Sequence, residues 1–330
     1  MSDACIHHCY ENLWILLNDQ APKIRCCAIA ILCKLAAAKH TEYFESPIHV
    51  ICKFLEDPES SVKAEVLRQL SSLWSLYQGT KLPDIDYINS RVQLLHGDSD
   101  PGVRYAALCF IWIVGQCRLN NGVSQAAESD RTTFHDGVFI SCCEAVNDAS
   151  SDIRAQALQL MGTMQNSTTY VLLQTLSKEI FDMRELRSNR DMKTKSHLKR
   201  LEAGDFDISG DISLLKSSMC GAFIHGLEDE FSVVRSCAID AICELACCSK
   251  EFTDSCVPFL IDMFNDESIS IRVNAITSLA KMSETWNLNI KDELIEAIFL
   301  AVFDGESEVR SSTLKLIGYF SACNFFSHSS

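Results

Sequence analysis

The sequence predicts an all-α fold, an α-α superhelix in which about seven helix pairs stack into a solenoid with one charged insertion. The first observation is a seven-residue pattern, an Asp followed five positions later by a β-branched residue and then at once by Arg or Lys. It occurs as Asp19 with Ile24-Arg25, Asp57 with Val62-Lys63, Asp98 with Val103-Arg104, Asp148 with Ile153-Arg154, Asp229 with Val234-Arg235, Asp266 with Ile271-Arg272 and Asp304 with Val309-Arg310. The second is the spacing of those Asp residues, 38, 41, 50, 81, 37 and 38, which is the period of a stacking two-helix unit. The third is an apolar stripe: positions 4, 5 and 8 beyond each β-branched residue are apolar or small, as in Val62, Val66, Leu67, Leu70 and Val309, Thr313, Leu314, Ile317. Spacings of 4 and 8 lie on one face of a helix.

The apolar segments Leu13 to Leu17, Ile48 to Leu55, Val92 to Leu95, Val138 to Val146, Phe223 to Leu227, Phe259 to Phe264 and Leu294 to Phe303 supply the first helices. The Asp ends each of them in a short turn, often followed by Pro or Ser (Pro58, Pro101, Ser150, Ser268), and the Arg or Lys stands in the first turn of the second helix. The Asp carboxylate can accept from backbone N–H groups left free at the start of that helix. The cation is expected to sit between carboxylates above and below it, one per repeat, forming a ladder of charge-assisted hydrogen bonds. This ladder reads as architecture rather than chemistry, since a solenoid usually works as a binding surface.

The gap of 81 residues is about two periods long, yet no further Asp and Arg copy fills it. Residues 174–218 are charged instead, and beyond Arg187 the helical pattern gives way to the loop-like Gly204 to Asp211. The expected organisation is one domain with a continuous core: four repeats over 1–173, a partly disordered insertion over 174–218, and three repeats over 219–330. Arg190, Lys193, Lys195, Lys199 and Arg200 make the insertion basic within an acidic protein, so they are the candidates for contact with a partner or a polyanion. The alternative is a solvated linker of mixed charge. A milder irregularity, Leu119 to Asp136, is expected to be a longer inter-repeat loop.

A formal charge of −15 excludes a protein coated for nucleic-acid binding, because phosphate contacts need clustered cations. No apolar run is long enough to span a bilayer. The N-terminus lacks the basic and continuous apolar regions of a secretory signal. The 17 cysteines, many inside helical patterns (Cys26, Cys27, Cys33, Cys109, Cys237, Cys243, Cys247), are expected to be reduced and structural. No phosphate loop, nucleophile elbow or zinc-protease motif occurs, so neither an enzyme nor a cofactor or small-molecule site is expected. Cys5-Ile-His-His-Cys9 is too crowded for one tetrahedral zinc, so no metal is assigned. His225 is expected to donate at a helix C-terminus rather than to act as a base.

The segment Cys220-Gly-Ala-Phe-Ile-His-Gly-Leu-Glu-Asp-Glu230, continuing to Val234-Arg235 and Phe259-Leu-Ile-Asp-Met-Phe-Asn-Asp-Glu267, resembles the HEAT-repeat part of the Integrator complex subunit 4 family. Leu173-Gln-Thr-Leu-Ser-Lys, just before the insertion, does so too. The resemblance covers roughly residues 15–320 and identifies the chain with an N-terminal or truncated portion of that family, whose members are much longer. It implies a HEAT/armadillo-like solenoid acting as a nuclear, non-catalytic scaffold. Its implied partners are the metallo-β-lactamase-type nuclease subunits of Integrator, in 3′-end processing of small nuclear RNA and other RNA polymerase II transcripts. Any RNA contact would be indirect. The alternative from another class is a HEAT-repeat adaptor for intracellular or cell-to-cell protein transport, which would have a cytoplasmic pool.

Overall fold

The computed structural model describes residues 11–37, 47–76, 85–120, 128–177, 219–288, 290 and 292–322, and every regular element among them is helical. The chain divides into two compact units, Met1–Ala127 and Glu128–Ser330. The first contains a helix through residues 11–17 (α1), then α2 (Pro22–Ala37), α3 (Pro47–Cys52), α4 (Ser60–Leu76), α5 (Ile85–Leu95) and α6 (Pro101–Asn120). The second contains α7 (Glu128–Ala145), α8 (Ser151–Gly162), α9 (Thr169–Gln174), α10 (Ala222–Leu227), α11 (Ser232–Ala246), α12 (Lys250–Asp262), α13 (Ile269–Thr285), α14 (Asp292–Leu300) and α15 (Ser307–Ala322).

The second helix of each pair stacks on that of the next. In the first unit α2 packs on α4 and α4 on α6; in the second, α8 packs on α11, α11 on α13 and α13 on α15. Local chemistry sets the helix limits. Pro22 and Pro101 open α2 and α6, where a missing N–H costs nothing and the fixed φ suits the helix. Three first helices tighten into a 3-10 turn before the ladder Asp, over Lys53–Glu56, Met263–Asn265 and Ala301–Phe303.

The stripe forms the core in five of the seven copies, from Val62, Val66, Leu67 and Leu70 to Ile271, Ala275, Ile276 and Leu279, all buried. Two copies depart from expectation. Ile24 and Leu314 are exposed, because no described helix pair packs on the outward faces of α2 and α15. In α15 the burial passes to Leu316 and Phe320, while the Thr313 hydroxyl satisfies itself on the Val309 carbonyl at 2.8 Å.

Of the stretch expected as a loop, Leu119 and Asn120 end α6 and Glu128 to Asp136 belong to α7, while residues 121–127 lie outside the described residues. Val138, Phe139 and Cys142 anchor that helix in the core, and the Asp136 carboxylate accepts from the Thr168 N–H (2.9 Å) and hydroxyl (2.8 Å) at the start of α9. Tertiary packing here overrides a polar sequence.

Across the 81-residue gap the described residues on either side pack as neighbouring repeats. α8 packs directly on α11, and the Gly221 and Phe223 N–H groups donate to the Gln174 and Thr175 carbonyls at 3.2 and 3.1 Å. The chain therefore leaves near Ser177 and returns near Met219 at one place. Gly221 makes the return possible, since its φ of 69° is left-handed and favours glycine. The short helices α9 and α10 pack on α12 and α11 respectively, and between them take the place of a single first helix. Residues 178–218, with the candidates Arg190, Lys193, Lys195, Lys199 and Arg200, lie outside the described residues, as does Cys5-Ile-His-His-Cys9.

Close approach of α8 to α11 depends on a missing side chain. A Cβ on Gly162 would stand 2.9 Å from the Ala241 Cα, and one on Gly226 would meet Ala238 and Leu158 at 3.0 Å.

Candidate functional site: the ladder and the faces of the second helices

In all seven copies the ladder Asp folds its own turn: its Oδ1 accepts from the N–H two residues on, at Ala21, Glu59, Asp100, Ser150, Phe231, Ser268 and Glu306, over 2.8–2.9 Å. That bond fixes where the second helix begins. The arginine six residues after the Asp then turns one nitrogen, Nη1, back onto the same turn. Arg25, Arg104, Arg154, Arg235, Arg272 and Arg310 donate from Nη1 to the main-chain carbonyl of their own ladder Asp at 2.7–2.9 Å.

The other edge of the guanidinium faces the following repeat. Arg25 grips Asp57 through Nε (2.9 Å) and Nη2 (2.7 Å). Arg154 grips Asp229 across the long gap at 2.6 and 3.0 Å, and Arg235 grips Asp266 at 2.8 and 3.0 Å. Arg272 pairs with Asp304, and Lys63 with Asp98. The expectation of carboxylates above and below each cation is therefore corrected. One carboxylate comes from the next repeat, and the cation's own Asp offers its carbonyl. A planar five-donor fork can serve both turns at once, whereas an ammonium cannot, which is why arginine holds all but one of these places.

These groups are largely withdrawn from water, and their proton affinities respond. Burial alone would raise Asp229, but the Arg154 guanidinium and the Phe231 N–H hold it below the usual carboxylate range. Asp98 is lowered in the same way against its own burial, by Lys63 and the Asp100 N–H. The Asp57 partner raises Arg25, and the Asp266 partner raises Arg235. Phe231 also lies under the Arg154 guanidinium, 5.7 Å from ring centroid to Cζ.

A second network, which pattern reading missed, runs along the second helices. Asn274 on α13 donates to Ser236 Oγ (3.0 Å) and Asp240 Oδ1 (2.9 Å) on α11, Lys281 donates to Glu244 (2.6 Å), and Gln159 on α8 donates to Cys237 Sγ (3.3 Å). The signal was present, since Ser236 to Asn274 and Glu244 to Lys281 are separated by 38 and 37 residues, one repeat period. A shallow groove of about 410 Å³ opens between α8 and α11, lined by Gln159, Gly162, Thr163, Gln165, Asp240 and Glu244. Its lining offers amide and carboxylate groups to a partner.

His225 does not serve a helix C-terminal carbonyl as expected; its Nδ1 meets the Asn147 side chain at 3.0 Å. All described cysteines are free thiols, and Cys27 and Cys248 are exposed rather than packed. Burial pushes Cys33 and Cys243 up to about 12, so these thiols stay protonated and unreactive at neutral pH. Among the described residues no three His, Cys, Asp or Glu side chains gather as metal ligands, and no helix is long and apolar enough to cross a membrane.

His135 is 1% exposed and neither ring nitrogen meets a hydrogen-bond partner in good geometry. Burial lowers its pKa, and the nearby Met164 backbone offsets only part of that. The folded protein thus takes up a proton on His135 at a lower pH than the unfolded chain, whose imidazole titrates near about 6.5. Stability from this group is complete above that pH and is lost as the pH falls through it. Replacing His135 with leucine should flatten the acid limb of a denaturation-midpoint profile between about pH 7 and 5; an unchanged slope would assign the acid sensitivity to other groups.

A HEAT-repeat family model matches residues 256–286. The chain is 29% identical to human Integrator complex subunit 4 over 282 residues, covering 81% of this chain and 28% of that protein. It is 30% identical to the Integrator complex subunit 4 homolog of Dictyostelium discoideum over 371 residues, covering 98% of this chain and 29% of that one. It therefore spans less than a third of the length of these curated relatives. Among solved structures, a crystal structure of importin beta superposes with a TM-score of 0.51 at 12% identity, over 94% of this chain and 40% of that one, a likeness of fold alone. Helix pairs in register, a ladder binding neighbouring pairs within each unit, and these alignments make the chain similar to the Integrator complex subunit 4 proteins over most of its own length, with a HEAT repeat at 256–286.

Proposed function

We propose that this chain is a non-catalytic scaffold of the Integrator complex, working in the nucleus by holding other proteins in place. Its partners in this reading are the metallo-β-lactamase-type nuclease subunits, which it organises for 3′-end processing of small nuclear RNA and other RNA polymerase II transcripts. The observation that carries the reading is the alignment of 81–98% of the chain with proteins named for that complex. The chemistry of the chain supports it. The conspicuous charged groups are spent on joining one repeat to the next, and the buried thiols are held protonated, so what remains available is surface.

The basic residues Arg190, Lys193, Lys195, Lys199 and Arg200 are, in the same proposal, a contact for an acidic partner or polyanion. Immunoprecipitation of the tagged chain from nuclear extract should recover the nuclease subunits, detected by mass spectrometry. Recovery of none of them would overturn the proposal.

A further inference from the structure

The ladder turns of the second unit follow one another along one edge. Arg154 reaches Asp229, Arg235 reaches Asp266 and Arg272 reaches Asp304, so the turns before α11, α13 and α15 are joined rung by rung. Packed helices stand about 8–10 Å apart, which sets the spacing of the rungs. Within four residues of these Asp side chains stand four large apolar groups that face water: Phe231 (47% exposed), Val233 (66%), Ile269 (40%) and Phe303 (83%). Counted from its own Asp, each occupies position −1, +2, +3 or +4, and in the first four repeats those positions carry only polar residues, glycine, alanine or proline.

Their exposure does not come from a missing neighbour. Phe231 and Val233 stand at the start of α11, which has α8 packed on one side and α13 on the other, and Ile269 opens α13 between α11 and α15. Asn265 holds the place of Phe303 one repeat earlier, and it is exposed although α14 packs on α12 and α15 on α13. These positions face outward whatever stacks above or below them.

The same turns are acidic. Residues 226–234, 263–271 and 301–309 contain no Lys or Arg. Glu230, Glu306 and Glu308 are exposed, and Glu267, 85% exposed, meets the flank of the Arg235 guanidinium at 3.4 Å. Exposed apolar side chains gathered in this way mark a surface that another molecule covers. The carboxylates select which one. A nucleic acid, an anionic membrane and a second copy of the same edge all bring negative charge and are repelled, whereas a protein segment with Lys or Arg beside apolar residues is attracted.

We propose that this edge docks a basic amphipathic helix of a partner protein, with its apolar residues on Phe231, Val233, Ile269 and Phe303 and its cations beside Glu230, Glu267 and Glu306. The spacing fits a helix, because residues seven apart lie about 10.5 Å apart along its axis, close to the distance between rungs. One apolar residue per two turns can therefore meet each rung. The docking depends on this edge alone and holds whichever complex the chain serves.

The test is the binding of two fluorescein-labelled peptides to the full chain, read by fluorescence anisotropy and mapped by amide exchange. One is a helical peptide of Lys, Ala and Leu with leucine recurring every seven residues, and the other carries Glu in place of each Lys. The lysine peptide should bind, and should slow exchange in the turns around Phe231, Ile269 and Phe303. Val233→Ser combined with Phe303→Ser, both at exposed positions, should weaken that binding at least about tenfold, with an unchanged circular dichroism spectrum and denaturation midpoint. Glu230→Lys combined with Glu306→Lys should weaken it likewise, and the glutamate peptide should not bind the native chain. A native chain that fails to bind the lysine peptide overturns the proposal, as do equal binding of both peptides, protection that falls elsewhere, or affinity that either pair of substitutions leaves intact. Turns already fully protected before peptide is added would show the strip covered from within the chain, and would overturn it too.

Discussion

Replacing Arg235 with alanine is expected to destabilise the second unit by about 3–5 kcal/mol, measured as a lowered denaturation midpoint. The guanidinium is 8% exposed and its partner Asp266 7%, so truncation leaves a carboxylate in a poorly hydrated place without its cation. The same change also frees the Asp229 and Glu230 carbonyls, which Arg235 ties to the start of α11 at 2.8 and 3.3 Å. Two further variants separate pairing from packing. Arg68→Ala removes an exposed cation paired with Glu65 three residues away, and should cost under about 1 kcal/mol. Arg235→Lys should recover part of the loss, since it keeps a cation beside Asp266 and leaves the turn bond of Asp266 to the Ser268 N–H in place. An Arg235→Ala midpoint no lower than that of Arg68→Ala would show that the ladder does not hold the repeats together.

The second large effect is expected at Phe252. Its ring is fully buried and meets Phe223 at 6.1 Å between centroids, at 50° between planes. Phe252→Ala should cost about 3–5 kcal/mol through the cavity and the lost aromatic contact. Phe223 sits at the start of α10, beside the hydrogen bonds that join residues 221 and 223 to 174 and 175. Amide exchange at those positions should therefore accelerate in Phe252→Ala, with most of the protection kept in Phe252→Leu. Faster exchange confined to α12 would mean that the aromatic contact does not stabilise the join.

Both predictions rest on features of unequal legibility. The ladder residues could be located from sequence, because a turn needing an Asp at one place and an arginine six positions on leaves the same trace in every copy. Which oxygen each arginine would take could not. The choice between the carboxylate and the carbonyl of its own Asp depends on the three-dimensional position of the neighbouring turn. The polar stretch from Glu128 to Asp136 reads as a loop for a related reason. Its helix is held by contacts with Thr168 and the core, which are distant in sequence.

The amino-acid sequence by itself determined the helix pairs, their period, the buried stripe and the likeness to Integrator complex subunit 4, because each depends on local periodicity or on the order of residues along the chain. Tertiary structure alone decided three things: the direction in which each guanidinium reaches, the joining of residues 174–175 to 221–223 across the long insertion, and the exposure of Ile24 and Leu314. The physical reason is the same in each case. Whether a group is paired or buried depends on what packs against it from another repeat, and a pattern within one repeat carries no record of that neighbour.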